Sequence, residues 1–214
     1  VNVSVMSLFS NMSIKKKFLI LGSVFLMIFF SYIFGMVEIG KITYFQKLER
    51  DHIELTTILT FHADDYLTLL EADSKASRSE ADAILNRRSG DNRKKGIRQL
   101  MEEMDALRKI VVNDTNVLEK AIFTYFGFGR AFELVGQVGP ELDKKIYDAL
   151  DRLEAKKLTI EQFEKIFIEV INGFSTGSSE FAPIIYHAGL FVGNLVGSIS
   201  LILLLSAVIL LLII

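Results

Sequence analysis

Two stretches of this chain carry no charged side chain, residues 18–37 and residues 188–214. At about 1.5 Å of rise per residue, each is long enough to cross about 30 Å of hydrocarbon as a helix. A helix meets its own backbone hydrogen-bonding needs there without water. The charges fall between the two stretches: all 26 Asp and Glu lie from Glu38 to Glu180, with 21 of the 24 Lys and Arg. This distribution excludes an ordinary soluble globular protein, and without a basic surplus it argues against a nucleic-acid partner. The chain has no Cys, so neither disulfides nor thiolate metal sites are available.

The remaining three cations, Lys15, Lys16 and Lys17, abut the first apolar stretch. Basic flanks stay on the cytoplasmic side. The expected layout is a cytoplasmic segment 1–17, a first span 18–37, an outer segment 38–187 in the periplasm or outside the cell, and a second span 188–214. The chain is thus placed as a multi-pass protein of the inner (cytoplasmic) membrane, with lipid as a partner. A cleaved signal peptide fits less well. Its apolar region is about 7–15 residues with a small-x-small exit, whereas this stretch leaves through Ile33, Phe34, Gly35, Met36 and Val37. The initial Val is read as an alternative start, with Met6 or Met12 as rivals. The chain stops at Ile214 while still apolar, which is read as loss of a cytoplasmic part.

Apolar residues of the outer segment recur at alternating steps of three and four. One seam runs Phe45, Leu48, His52, Leu55, Leu59, His62, Tyr66, Leu69. A second runs Ile97, Leu100, Met104, Leu107, Val111, Asp114, Leu118, Ala121, Tyr125, Phe128, Phe132, Val135. A third is Leu142, Ile146, Ala149, Leu153, and a fourth Ile160, Phe163, Phe167, Val170, Phe174, Gly177, Phe181, Ile184. This is the spacing of helices that bury a narrow stripe. The predicted fold class is all-α, with two transmembrane helices flanking an antiparallel four-helix bundle. Turn chemistry divides it at Gly90–Gly96 and Gly136–Pro140, and Thr159 with Gln162 predicts a capping box. Ser77 with Glu80 marks a bend or break near Asp73–Ser77, and Asp114 marks either a register position or a helix end. Helices over 38–88, 93–137, 140–156 and 160–187 return the chain to within about 7 Å of its starting height. A division at Asn113–Thr115 closes less well, at about 21 Å.

Little here suits catalysis, and the chain is not expected to be an enzyme or to hold a metal or cofactor. His62 and Asp65 stand one helical turn apart, but His62 lies on a seam and is read as a hydrogen-bonded core position. Gly127, Gly129 and Arg130 lack the preceding strand and the third glycine of a phosphate loop. Two features are candidates for ligand binding. Arg78, Arg87 and Arg88 belong to a cationic cluster with Arg93, Lys94, Lys95 and Arg98, which is either a solvated helix connection or a fork for carboxylate or phosphate. Phe126 and Arg130 lie one turn apart, away from the seam, as one wall of a pocket or as a core or dimer contact. In the spans, Gly189, Gly193 and Gly197 recur every four residues, and Ser31 pairs with Gly35. Small residues in step let helices approach closely in lipid, and Asn194 sits beside that face.

A basic opening, Asn11-Met12-Ser13-Ile14-Lys15-Lys16-Lys17, then a span, an outer helical segment and a second span, resembles the N-terminal sensor region of bacterial methyl-accepting chemotaxis proteins of the four-helix-bundle type. The resemblance covers the whole chain. Sensor histidine kinases and cyclic-dinucleotide enzymes share this front end. It implies a homodimeric receptor that binds a small ligand outside and transmits a shift through its second span to a cytoplasmic signalling part. The linker, methylation sites and kinase-coupling tip of that family are absent from these residues. The alternative is a membrane-anchored helical assembly protein.

Overall fold

The computed structural model describes residues 12–213. Among them the chain is all-α, with no strand. The elements are α1 (Ile14–Glu71), α2 (Lys75–Asn86), a 3-10 turn (Asn92–Lys94), α3 (Ile97–Asn113), α4 (Val117–Tyr125), α5 (Gly129–Glu133), a π-helical segment (Leu134–Val138), α6 (Gly139–Glu154) and α7 (Ile160–Ile213). Helices α1 and α7 hold the two apolar stretches, and both are long and apolar enough to cross a membrane. Expectations for residues 1–11 and for Ile214 lie outside the described residues.

The chain divides into two units. One comprises the described residues up to Thr43 and from His187 onward, the other Tyr44–Tyr186. In the first unit, Ile42 faces Gly189, Gly35 faces Val196, and Leu21 shares a small core with Ala207. Residue numbers fall along one helix as they rise along the other, so the two apolar stretches run in opposite directions. At Gly35 the approach leaves no room for a side chain: a Cβ would lie 2.6 Å from Val196 Cγ2. Of the three glycines in step, Gly189 meets Ile42 at 3.3 Å, while Gly193 and Gly197 face open space. Ser31 is half-buried; Lys15 and Lys16 are exposed and Lys17 is buried.

In the second unit one core joins Leu55, Leu59, Ala63 and Tyr66 of α1, Ala81 and Leu85 of α2, and Ile97, Leu100, Met101 and Met104 of α3. Ile146, Ala149, Leu150 and Leu153 of α6 and Phe163, Phe167, Val170 and Phe174 of α7 complete it. The first, third and fourth seams therefore face inward over most of their length. Local chemistry sets the ends. Asp73 ends α1 in the left-handed region (φ 43°), and Ser74 and Ser77 form a reciprocal capping box for α2. At Thr159 the expected box is present: Gln162 N–H donates to Thr159 Oγ1 at 3.2 Å, and Thr159 N–H to Gln162 Oε1 at 3.0 Å.

The expected helix over 93–137 does not form. Asp114 caps α3, and Asn116 opens α4 through its own capping box with Glu119. The second seam therefore stops at Val111, leaving Leu118 at 69% and Tyr125 at 84% exposure. Nor does the chain break at Gly136–Pro140: the π-helical segment runs directly into α6 with helical dihedrals, and Pro140 sits in the first turn of α6. The break at Gly90–Gly96 is present as expected, and a second falls at Asn113–Thr115, the division that height closure had disfavoured. That argument treated each helix as one straight rod, and strong local caps interrupted the rods.

Burial separates two leucines that the periodicity had treated alike. Leu100→Ala is expected to destabilise the chain by about 2–5 kcal/mol through lost burial and a residual cavity. Leu118→Ala should fall within about 0.5 kcal/mol of the parent. Denaturant unfolding in detergent checks both; equal losses would contradict the break at Asp114.

Candidate ligand-binding site

On α3 the buried stripe runs Met101, Met104, Arg108, Val111. A step of four from Met104 brings Arg108, rather than Leu107, to the centre of the stripe. Arg108 is 7% exposed, and its partners are buried with it: Asp143 of α6 at 6% and His52 of α1 at 8%. Arg108 forms an ion pair with Asp143. Its Nη1 donates to His52 Nε2 at 2.8 Å, and its Cζ lies 5.5 Å from the centroid of the Phe174 ring. The His52 ring meets the same phenylalanine edge to face, with centroids 5.7 Å apart. A buried charge this well partnered avoids most of the cost of leaving water.

The backbone makes room for it. A Cβ on Gly139 would lie 2.5 Å from Arg108 Cδ and 2.8 Å from Nε, so only glycine lets the guanidinium pass this close to α6. Gly139 also donates its N–H to Leu134 O, closing the π-helical segment. Single π-helical turns inside α-helices are frequent at functional sites.

Beside Arg108 is a cavity of about 50 Å³ that opens outward, with walls that are mainly leucine, valine and phenylalanine. Its polar lining is limited to Glu49, His52, Arg108 and Ser178. Guanidinium has only donors, so His52 Nε2 must accept, and the neutral imidazole carries its proton on Nδ1. Burial, reinforced by the neighbouring guanidinium, holds His52 down at about 3, far below its usual 6.5. It is therefore neutral across the physiological range. Burial also pulls Arg108 down to about 10, which leaves it charged. Glu49 is pushed up by burial, partly offset by a hydrogen bond from Ser178. Four side-chain atoms of these residues are buried without a hydrogen-bond partner among the described residues, His52 Nδ1, Arg108 Nε, Arg108 Nη2 and Glu49 Oε1, as are both carboxylate oxygens of Asp143, the ion-pair partner of Arg108.

The residues singled out from sequence lie elsewhere. Arg78 pairs with Asp73 and Arg88 with Glu102, while Arg87 is exposed. Around them Lys94 pairs with Asp91, Lys95 with Glu103, and Arg98 with Asp151 and Glu154. The cluster that reads as a cationic surplus is thus largely neutralised, by Asp73 and Asp91 nearby and by acids from α3 and α6. Arg130 reaches Glu133 at 2.9 Å and Glu180 at 3.1 Å, and Phe126 meets Tyr125 edge to face at 5.1 Å. His62 is hydrogen-bonded through Nε2 to the Arg93 carbonyl at 3.1 Å. No group of three or more His, Asp or Glu converges among the described residues. The sequence reading missed Arg108 and Asp143 because each adjoins an apolar residue, Leu107 or Leu142, that also fits the three-four spacing.

No family model, curated protein or solved structure matches this chain.

Asp143→Ala should cost about 3–5 kcal/mol by stranding the Arg108 charge, whereas Arg108→Met combined with Asp143→Leu should stay near the parent stability. Denaturant unfolding distinguishes the two. A pH dependence also follows. The unfolded chain takes up a proton on His52 near pH 6.5 that the folded unit refuses until about pH 3. This contribution to stability is complete above pH 6.5 and falls as pH drops toward 3, by at most about 1.4 kcal/mol per pH unit. Glu49 acts with the opposite sign, favouring the folded state below its unfolded value and losing that benefit as pH rises through its folded one. The test is therefore the difference between parent and His52→Gln between about pH 7 and pH 4; parallel curves would refute it.

Proposed function

We propose that this chain is the sensing part of a bacterial transmembrane receptor of the chemotaxis type, homodimeric in the inner membrane. In this reading residues 38–187 lie outside the cytoplasm, bind a small ligand, and pass a shift through residues 188–214 to a cytoplasmic signalling part. The observation that carries it is the charge map. Two uncharged helical stretches frame an all-helical segment holding every acid of the chain, with Lys15–Lys17 at the N-terminal edge of the first stretch. The outer segment is read as an antiparallel four-helix bundle of α1, α2 with α3, α5 with α6, and α7. Support comes from contacts that trend in opposite directions: Arg98 with Asp151 and Arg108 with Asp143, then Leu142 with Gly173 and Lys145 with Glu169. Helices α1 and α7 each contain residues of both units. A ligand preferring one arrangement of these helices shifts the population in proportion to that preference.

The neutralised cations around Arg88 and the ion-paired Arg130 weaken the case for an exposed anion site and move attention to the cavity beside Arg108. An export-dependent reporter fused near residue 110 should be active, and a reporter active only in the cytosol silent there. The reverse pattern would put the helical segment inside the cell and end the sensor reading.

A further inference from the structure

We infer that α4 is a lipid-contacting helix, whose exposed apolar face around Ile122, Tyr125 and Phe126 seats in the headgroup layer of the leaflet beside it. The inference goes beyond the proposed sensor and needs only that the two uncharged stretches lie in a bilayer.

The face is built by helical spacing. No side chain of α4 is buried, and Val117, Leu118, Ile122, Tyr125 and Phe126 are all exposed. At 3.6 residues per turn, these positions and Ala121 together cover about half the circumference of the helix. The other side is held by α5. Phe123 meets Phe128 at 6.1 Å and Phe132 at 6.5 Å between ring centroids, and Lys120 Nζ lies 6.0 Å from the Phe132 centroid. The two helices form a hairpin that turns at Gly127, whose φ of 92° suits glycine. From Ala121 to Gly129 the hairpin carries no charge. An apolar patch of this kind on a protein surface marks an interaction site.

Position selects the occupant. Within the helical unit, Lys145 pairs with Glu169, Leu142 packs against Gly173, and Arg130 pairs with Glu180, so each step back along that segment is a step forward along α7. Phe126, four residues before Arg130, therefore comes opposite about Ile184, and the uncharged stretch of α7 opens at Ala188, about 6 Å of helix further on. The headgroup layer on each side of the hydrocarbon is about 5–7 Å deep, which brings the turn of the hairpin level with it. The side chains suit that depth. Tyrosine, with an apolar ring and a wet hydroxyl, is enriched at membrane–water interfaces, and phenylalanine and leucine line the apolar faces of helices that lie there. A protein partner fits less well: its interface typically carries about ten direct hydrogen bonds, and the five exposed side chains of this face offer one hydroxyl. Lipid asks for no directional contact.

The chain has no native Cys, so one substitution places one nitroxide label. The test uses the full chain in phosphatidylcholine nanodiscs and measures relaxation of the label by oxygen, which concentrates in lipid, and by a nickel chelate, which stays in water. At Tyr125→Cys and Ile122→Cys the oxygen-to-nickel ratio should exceed that at Glu80→Cys, an exposed position on α2, by at least about fivefold, as for a probe about 5–10 Å into the headgroup boundary. Adding Ile122→Asp and Phe126→Asp to the Tyr125→Cys chain should return the ratio to the Glu80→Cys value. Circular dichroism should show helix content unchanged, because both side chains are exposed. Three results overturn the proposal. A ratio at Tyr125→Cys equal to that at Glu80→Cys puts the face in water. Low access for both reagents puts it against protein, a second copy or another partner. A high ratio that survives the two aspartates belongs to the label alone. The hairpin meets whichever leaflet lies on its own side, so a cytosolic residue 110 would discard the sensor and leave this contact standing.

Discussion

The guanidinium of Arg108 is the constraint around which the helical unit is organised. A cation withdrawn from water needs a counter-charge and acceptors within reach, and three separate helices supply what it needs. Asp143 on α6 balances the charge, Nε2 of His52 on α1 accepts a hydrogen bond, and Phe174 on α7 presents its ring. Each partner is fixed in turn by Arg108. The imidazole is held neutral in one tautomer, and position 139 has no space for a side chain. Such a cluster ties the register of four helical elements to one another, which apolar side chains, being non-directional, do not accomplish as strictly.

The π-helical segment fits the same picture. An extra residue in a helix displaces the following turns, and here it precedes the glycine that Arg108 passes. Gly136, Gly139 and Pro140 look like a chain reversal in the sequence, yet the structure keeps them helical. The reversal instead occupies the stretch after Asp114, where α4 exposes Leu118 and Tyr125.

In the apolar unit, packing is controlled by volume. At Gly35 the first stretch leaves no room for a side chain against Val196. Gly193 and Gly197 keep open faces although they share the four-residue step with Gly189. Periodicity marks which residues share a helix face; it does not say which neighbour that face meets.

Much of the architecture was legible because it rests on one-dimensional quantities. Charge-free length marks the two apolar helices, three-four spacing marks the all-α class, and Thr159 with Gln162 marks a helix start through atoms three residues apart. The buried site was not legible. Met104 is followed both by Leu107 and by Arg108 at helical steps, and hydrophobicity favours the leucine. The exposed cations near Arg88 looked available because their acids, Glu102, Asp151 and Glu154, are 14 to 56 residues distant in the pairs they form. The sequence by itself determined the helical class and the two uncharged stretches, since those follow from local chemistry and from the cost of charge in hydrocarbon. Only the tertiary structure decided which polar groups meet and which remain unpaired, because both depend on side chains from distant helices converging on one point.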